Sequence, residues 1–599
     1  MEYILHLRTR SLWLIGGQYS SLAVDKATAR KGEQEQPYLP ASALKGAMRI
    51  EFERLMRGGG EEVCISSDPE VLQACWERHP DDIVCSLFGV PGKRPGKLRF
   101  WNAFPSEERD WRLEGYETRT GVSISRPLRR AQPQRLFTFE GARQVKLEAR
   151  ITCLEPLTDR EGEWFERALC WWQKEGLWVG ANRSRGMGRL ELLQWEIRGE
   201  PLPSPSAKAL KFQPQGSKAL YWLTFESREP LRVSPIKLRP YLLRGMSFVP
   251  GSTIRGAVAF ALLRQGLSRE DLDRIFSAIA PDLQGLPRFS HLYPGGFLDI
   301  RPLSAVQCKV HGHDRDPHGP YDTLLLHFFI QQAQGQEEPI RERNLERLRR
   351  WLNYCPRPSC EEKLEPAERF PGVHKHLFVK LALSRELMRA QPRMFYIYEA
   401  VEKPERFQGV LLADEGVASL LQRRMTLLVG GARGKGFGRG LLSLRRISEP
   451  ELGDEEGVKQ RMRELQERLT QLAESLQLDK GLQERVFFTL TLLTDLVLPP
   501  GQSLKGLLEE YNRNWRWEAA VLRWTWLGGF NEWSGQPKLL VPALERGGAV
   551  LLSTQEDQDR VSAQLAELER EGLGLLRDQG FGWVQGCHRF HYSRVEVKI

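Results

Sequence analysis

The sequence predicts an α+β protein built by duplication, and three observations carry the prediction. A helix start occurs twice, as Pro40-Ala-Ser-Ala-Leu-Lys-Gly46 and as Pro250-Gly-Ser-Thr-Ile-Arg-Gly256. Each copy is followed, near the end of its repeat, by a glycine-arginine segment: Gly180-Ala-Asn-Arg-Ser-Arg-Gly-Met-Gly-Arg189 and Gly430-Gly-Ala-Arg-Gly-Lys-Gly-Phe-Gly-Arg439. A weaker third segment runs from Gly572 to Gly582. Apolar and polar residues alternate over Glu2–Arg8 and again over Lys146–Cys153, the period of a half-buried strand. Internal repeats of this kind report duplicated domains.

A chain of 599 residues holds several domains and has ample apolar content to bury their cores. Its 87 Lys and Arg against 77 acids leave a net charge of +10, which favours a polyanionic partner without fixing one. Arginine crowds the glycine segments, and its planar guanidinium suits phosphates and stacked bases better than lysine does. No apolar run is long enough to span a membrane and the N-terminus has no signal-peptide pattern, so a cytoplasmic protein with no membrane partner is expected. Nine cysteines in such a compartment read as thiols or metal ligands, not disulfides.

Residues 1–200 form the first unit. After the opening strand, the stretch from Gly16 carries one acid, Asp25, ahead of the basic pair Arg30 and Lys31. Ser42 is expected to cap the helix that follows, and Lys45 and Arg49, four residues apart, share one face near its positive end, an arrangement that suits a phosphate. Cys64, Cys75, His79 and Cys85 make a ligand set for tetrahedral zinc, although small buried hydrophobes read the same way. Arg119, Arg126, Arg129, Arg130 and Arg135 fall in a window broken by turn residues, either a nucleic-acid grip or a solvated basic loop. In the first glycine segment Arg183, Arg185 and Arg189 supply charge, and the glycines allow the backbone geometry of an anion-binding loop.

Residues 201–216, rich in proline and serine, read as a linker. The second unit, 217–447, opens on the strand-like run Leu220–Phe225 and carries Arg255 in its helix start. Cys308, His311, His313, His318, Cys355 and Cys360 read as two zinc half-sites joined by folding, with His311 favoured by its Cys308-x-x-His311 spacing. His374 and His376 have the form of acid-base groups, and the alternating aromatics of Arg393–Glu399 read as a core strand. Arg433, Lys435 and Arg439 furnish the second glycine loop. Within 448–484, Val458, Met462, Leu465, Leu469, Leu472 and Leu476 recur at helical spacing, predicting an amphipathic helix. Residues 485–599 open with a strand-like run from Val486 and end in the third glycine segment, while Trp524, Trp526 and Trp533 are expected in the core.

The pairing of Pro-x-Ser-x-Leu/Ile-Lys/Arg-Gly with a terminal glycine-rich loop resembles the RAMP superfamily, the ferredoxin-like RNA-binding subunits of CRISPR effector complexes. The resemblance implies tandem ferredoxin-like (RRM-like) RAMP domains with insertions and zinc-binding subdomains, the last of them a half unit. Residues 1–200 are similar to the backbone subunit of type III complexes. The remainder is similar to the type III-D subunit that binds the 5′ tag of the guide, so a fusion of the two is implied. The arginine window corresponds to a thumb hairpin, in which Arg126, Arg129 and Arg130 grip phosphates while apolar side chains wedge the bases. Lys45, Arg49, Arg183, Arg185, Arg189, Arg255, Arg433, Lys435 and Arg439 are implied RNA contacts. Guide RNA, target RNA and other effector subunits are the implied partners.

Val24-Asp25-Lys-Ala-Thr-Ala-Arg30 occupies the place of the target-cutting aspartate of backbone subunits. It departs from that pattern in having Lys26, Ala27 and Thr28 where proline and an aliphatic residue usually follow. An endoribonuclease using Asp25 and a divalent metal such as magnesium is therefore expected, with zinc in structural roles. The alternatives are a non-catalytic guide-binding subunit and a guide-processing ribonuclease using His374 or His376. A basic protein-binding scaffold would leave the repeated motifs unexplained.

Overall fold

The computed structural model describes residues 1–595 apart from 17–23, 32–35, 65–68, 91–93, 107–115, 144, 200–217, 234–236, 240–241, 277–286, 313–317, 358, 371–372, 384–389, 403–404, 422–424, 448–451, 479–481, 483 and 532–535. The linker expected at 201–216 lies outside the described residues, as do His313 and Trp533.

Three units follow one plan. In the first, β1 (Glu2–Thr9) leads to α1 (Ala41–Gly58) and the edge strand β2 (Leu98–Phe100). A long hairpin follows, β3 (Tyr116–Ile124) and β4 (Ala131–Ala142), then β5 (Lys146–Cys153), α2 (Asp159–Glu175), β6 (Leu177–Trp178) and β7 (Arg189–Arg198). The sheet order is β6-β7-β1-β5-β2, the β-α-β-β-α-β arrangement of a ferredoxin-like fold. Alternation sets the register: Leu5 faces Ala149 and Leu7 faces Leu147, all four buried against the helices. Thr158 and Glu161 close a capping box at the start of α2. Phe165, Ala168, Leu169 and Trp172 then cover the sheet from one face of that helix.

The second unit repeats the plan with β8 (Ala219–Ser227), α3 (Gly251–Arg264), β9 (Arg288–Phe289), the hairpin β10 (Lys375–Leu383) and β11 (Ala390–Val401), β12 (Arg406–Ala413), α4 (Glu415–Leu421), β13 (Met425–Leu428) and β14 (Arg439–Arg446). Its order is β9-β12-β8-β14-β13. An insertion between β9 and β10 holds the second cysteine cluster.

The amphipathic helix α5 (Glu455–Ser475) buries Val458, Met462, Leu465, Leu469 and Leu472 in one core with the third unit, so it docks on its own chain. That unit consists of β15 (Val486–Leu492), α6 (Leu504–Tyr511), β16 (Arg516–Val521), the short hairpin β17 (Trp524–Leu527) and β18 (Val541–Leu544), β19 (Ala549–Thr554), α7 (Gln558–Glu571) and β20 (Val584–Gly586). Its order is β16-β19-β15-β20, so the C-terminal segment supplies four strands and two helices where half a unit was expected. Trp524 and Trp526 are not core: they are 62% and 64% exposed. β17 pairs only with β18, in a two-stranded sheet separate from the four-stranded one. All nine cysteines are free thiols, and no described helix is long and apolar enough to cross a membrane.

Candidate nucleic-acid interface and metal centre

The three glycine segments fold into one turn. Asn182, Ala432 and Leu576 take left-handed backbone angles (φ 57°, 61° and 56°), and four residues later Gly186, Gly436 and Gly580 do the same. Two residues beyond, Gly188, Gly438 and Gly582 also have positive φ, and a Cβ there would collide with the carbonyl oxygen of Val179, Val429 and Leu573 respectively. The recurring glycines are therefore a backbone requirement at each copy.

What the turns do differs by copy. The second seats on the start of α1: Lys435 bridges to Phe100, and Gly436 packs against Ala41 and Asn102. The third seats on the start of α3, with Gly580 against Gly251, Arg255 paired to Asp578 at 2.8 Å, and the Phe581 ring on His291 at 5.4 Å. Each later unit thus closes over the helix start of the one before it. Ser42 is not the cap of α1; the Ala41 amide donates to Asn102 Oδ1 at 2.8 Å instead, from the loop after β2.

This docking redistributes the expected RNA contacts. Arg49 is buried, paired with Glu53 at 3.0 Å and donating to the Gly89 carbonyl, so it holds the first unit together. Arg255 is committed to Asp578 and to the Phe276 carbonyl. Arg439 lies 4.0 Å over the Trp101 ring, and Arg433 lies near Phe260. Lys45 and Lys435 meet at the seam between the first and second units, where burial, then Lys435, then Arg49 pull Lys45 down to about 7. Arg183 is half-buried and donates to the Trp178 carbonyl, while Arg185 and Arg189 remain exposed.

The β3–β4 hairpin stands clear of its sheet. Arg126, Arg129, Arg130 and Arg135 are exposed on it, interleaved with Val122 (44%), Ile124 (62%), Leu128 (62%) and Leu136 (68%). Asp25 sits at its root: the Asp25 amide donates to the Thr138 carbonyl at 2.9 Å, and the Thr138 amide donates to Asp25 Oδ2 at 2.6 Å. Arg30 is drawn away from Asp25 by its ion pair with Glu140 and by stacking 3.8 Å over Tyr116.

The cysteine clusters part company. Cys308, His318, Cys355 and Cys360 place one ligand atom each within 4.8 Å of one another. The Cys308–Cys360 sulfur separation is 3.8 Å and the Cys355 Sγ–His318 Nδ1 distance is 3.6 Å. A tetrahedron with Zn–S bonds of about 2.3 Å has S–S edges of about 3.8 Å, so the donor set and its spacing fit zinc. His318 completes the set in place of His311, whose ring lies 5.0 Å from that of His318. Folding a strand (Ala305–Cys308) against another (Leu364–Pro366) brings the two halves together. In the first cluster Cys64 and Cys85 both donate backbone amides to Asp82, and His79 is exposed at a helix end. Burial and the adjacent Cys64 thiol push Cys75 up to about 12, and Arg49 Nη2 lies 4.0 Å from Cys85 Sγ. Among the described residues these four do not converge on one ligand point.

Comparison with known proteins bears on the first unit. The family model of the RAMP superfamily matches residues 6–191. Over those residues the chain is similar to a RAMP-superfamily domain. Among solved structures, a chain of a type III-B Cmr-beta complex bound to cognate target RNA overlaps 33% of this chain at 18% identity, with a TM-score of 0.22. That overlap spans 59% of the neighbour's own length, less than two thirds. A chain of the Cmr-beta complex with cognate target RNA and AMPPnP, in state 1, overlaps 55% of this chain and 86% of its own, at 11% identity and a TM-score of 0.29. At such scores the neighbours' activities do not transfer. No curated protein matches the chain.

Beyond residues 6–191, sequence reading missed a third helix start. Pro500-Gly-Gln-Ser-Leu-Lys-Gly506 keeps the six-residue step from proline to glycine seen at Pro40 and Pro250. Its serine is displaced by one position, and Ser503 caps α6 by accepting from the Gly506 amide. Lys380, whose Nζ lies 3.4 Å from Ser42 Oγ across the seam, had no local signal at all.

Proposed function

We propose that this chain is an RNA-holding subunit of a type III CRISPR effector complex, gripping the guide with the β3–β4 hairpin and cutting complementary target RNA at Asp25. The carrying observation is that hairpin, where exposed arginines alternate with exposed aliphatic side chains. Guanidiniums hold phosphates, and aliphatic tips between them fill the gap between unstacked bases. The RAMP match over residues 6–191 supports the reading. The second and third units would carry the 5′ tag, with other effector subunits as further partners.

Replacing Arg126, Arg129 and Arg130 together by alanine is the direct test. Affinity for single-stranded RNA is expected to fall for all sequences, and the slope of log affinity against log salt to shrink by about 2, three contacts at about 0.7 each. An unchanged salt slope would remove the hairpin from the interface.

Cleavage rests on the place of Asp25 at the root of the hairpin. A target nucleotide splayed by the hairpin presents its 2′-hydroxyl to its own phosphate. In this step Asp25 Oδ1, which accepts no hydrogen bond among the described residues, takes that proton while Thr138 holds Oδ2; the 2′-oxygen bonds to phosphorus as the bond from phosphorus to the 5′-oxygen breaks, leaving a 2′,3′-cyclic phosphate and a 5′-hydroxyl that draws its proton from water. Exposed Lys26 next to it stabilises charge on the phosphate. The described surroundings offer one carboxylate, because Glu140 is committed to Arg30. A divalent ion such as magnesium fits there only with the RNA's phosphate oxygens as its other ligands, and would supply Lewis-acid help. Asp25→Ala in the assembled complex is expected to slow one cut of a matched target by about 10²–10⁴ with target binding retained. Cleavage intact at every position would leave a non-catalytic guide-holding subunit.

A further inference from the structure

The cysteine-histidine centre stands on two short strands of the insertion. Ala305–Cys308 and Tyr321–Asp322 run antiparallel, with Ala305 opposite Asp322 and Val306 opposite Tyr321. The first ends on the ligand Cys308, and the second begins three residues after the ligand His318. The other end of the same pair runs into a buried polar chain. Ser304 Oγ donates to Asp322 Oδ1, and Asp322 Oδ2 lies 3.0 Å from His591 Nδ1. An ionised carboxylate only accepts, so Nδ1 carries a proton, and in the neutral ring Nε2 accepts from Thr491 Oγ1 on β15 at 2.8 Å. The Asp322 amide donates to the Arg594 carbonyl at 2.9 Å, a second link to the third unit. Asp322, Thr491 and His591 are buried, so a partner lost anywhere in this chain of bonds leaves a polar group unsatisfied.

We propose that this centre and the short helix Phe590–Ser593 of the third unit are coupled sites: zinc binding holds the helix in place, and the docked helix tightens zinc binding. The inference rests on the zinc reading of the four ligands and not on the RNA-holding one. Strands of four and two residues do not persist alone, so without the metal little fixes the Ala305–Cys308 and Tyr321–Asp322 pair. Four ligands drawn to one point fix where that pair lies, and so where Asp322 meets His591. On the far side the helix Leu324–Ala333 begins two residues after Asp322 and packs into the core of the third unit, which makes the link stiff. A helix of four residues has no stability of its own either and depends on what it docks against. The rest of the third unit is held separately, by Gly580 on Gly251 and by the Arg255–Asp578 pair, so the coupling is confined to this helix.

Coupling of this kind is reciprocal, so the factor by which zinc favours the docked helix is the factor by which the helix raises zinc affinity, about 5–150-fold in typical cases. The experiment uses the full chain, with zinc affinity read by competition against a chromogenic chelator and the helix read by amide hydrogen exchange. Removing zinc is expected to speed exchange at the His591 and Arg594 amides, which bond to the His588 and Phe590 carbonyls, by that factor. The amides of β19 should not change. His591→Ala is expected to weaken zinc binding by the same factor, although no ligand is touched. Thr491→Val, which removes only the hydroxyl, should weaken it by less, and it serves if His591→Ala fails to fold. Arg589→Ala breaks an exposed ion pair between the same helix and Asp299 and should leave zinc affinity at the wild-type value. Zinc affinity within about twofold of wild type in both His591→Ala and Thr491→Val would overturn the coupling while leaving the centre intact. An equal rise in exchange over the helix and β19 would overturn it as well, since that is general loosening. A wild type that takes up no zinc would instead overturn the centre itself.

Discussion

Cys355→Ser combined with Cys360→Ser is expected to strip one equivalent of zinc from the purified protein and to unfold the insertion around it. Half of the four converging donors disappear in that variant. Structural zinc contributes on the scale of 10 kcal/mol, about 10–16 in isolated finger peptides, so little else in a small insertion offsets its loss. Cys308, Cys355 and Cys360 are buried side by side, and burial pushes the Cys355 thiol up to about 11; a bound cation reverses that by favouring thiolates. Elemental analysis reads the first effect. The second is read by hydrogen exchange in Ala305–Cys308 and Leu364–Pro366, the strands that carry or flank the ligands. Cys64→Ser with Cys75→Ser should leave the zinc content unchanged, since those thiols do not converge with His79. Zinc content equal to wild type in the Cys355/Cys360 variant would dispose of the site.

Arg99→Ala is expected to destabilise the chain by ~3–5 kcal/mol, because it leaves Glu229 buried without its cation. Arg99 stands on β2 of the first unit and donates to Glu229 Oε2 at 2.7 Å and to the Phe437 carbonyl at 3.2 Å, both in the second unit. Both side chains are almost fully buried, with 1% and 7% exposure, so solvent screens the pair little. Replacing both partners by apolar residues of similar volume is expected to cost much less than the single change. Denaturant unfolding of the single and double variants decides this; equal losses in the two would mean that Glu229 finds another partner when Arg99 is gone.

How much of this was legible in the residues depended on the range of the forces involved. The turn of each glycine segment was legible because positive φ is a local backbone matter, and glycine occupies it at Gly436, Gly438, Gly580 and Gly582. The strand alternation of β1 and β5 and the apolar stripe of α5 were legible for the same reason: period and burial follow from a few neighbouring residues. The arginines at 126, 129, 130 and 135 of the β3–β4 hairpin were legible because they stay exposed. The third helix start escaped notice through a one-residue shift of its serine, Ser503, although its proline-to-glycine step was intact.

The partners of the remaining charges were decided only by the tertiary structure. Arg255 and Asp578 are 323 positions apart, and Arg99 and Phe437 are 338 apart, so no local pattern marks either pair. Arg49 and Lys45 lie one helical turn apart on the same helix, yet one is sealed into its own unit and the other faces the next. His318 displaces His311 because ligand choice follows where the chain folds back after the loop, not the spacing before it. The tryptophans of β17 are exposed because their hairpin leaves the sheet, which residue type alone does not disclose. The sequence by itself determined the repeated units and their turns, since backbone conformation and hydrophobic period are short-range. Which cations stay exposed and which face the protein was settled by packing, since a charge takes the nearest counter-charge in space whatever its distance along the chain.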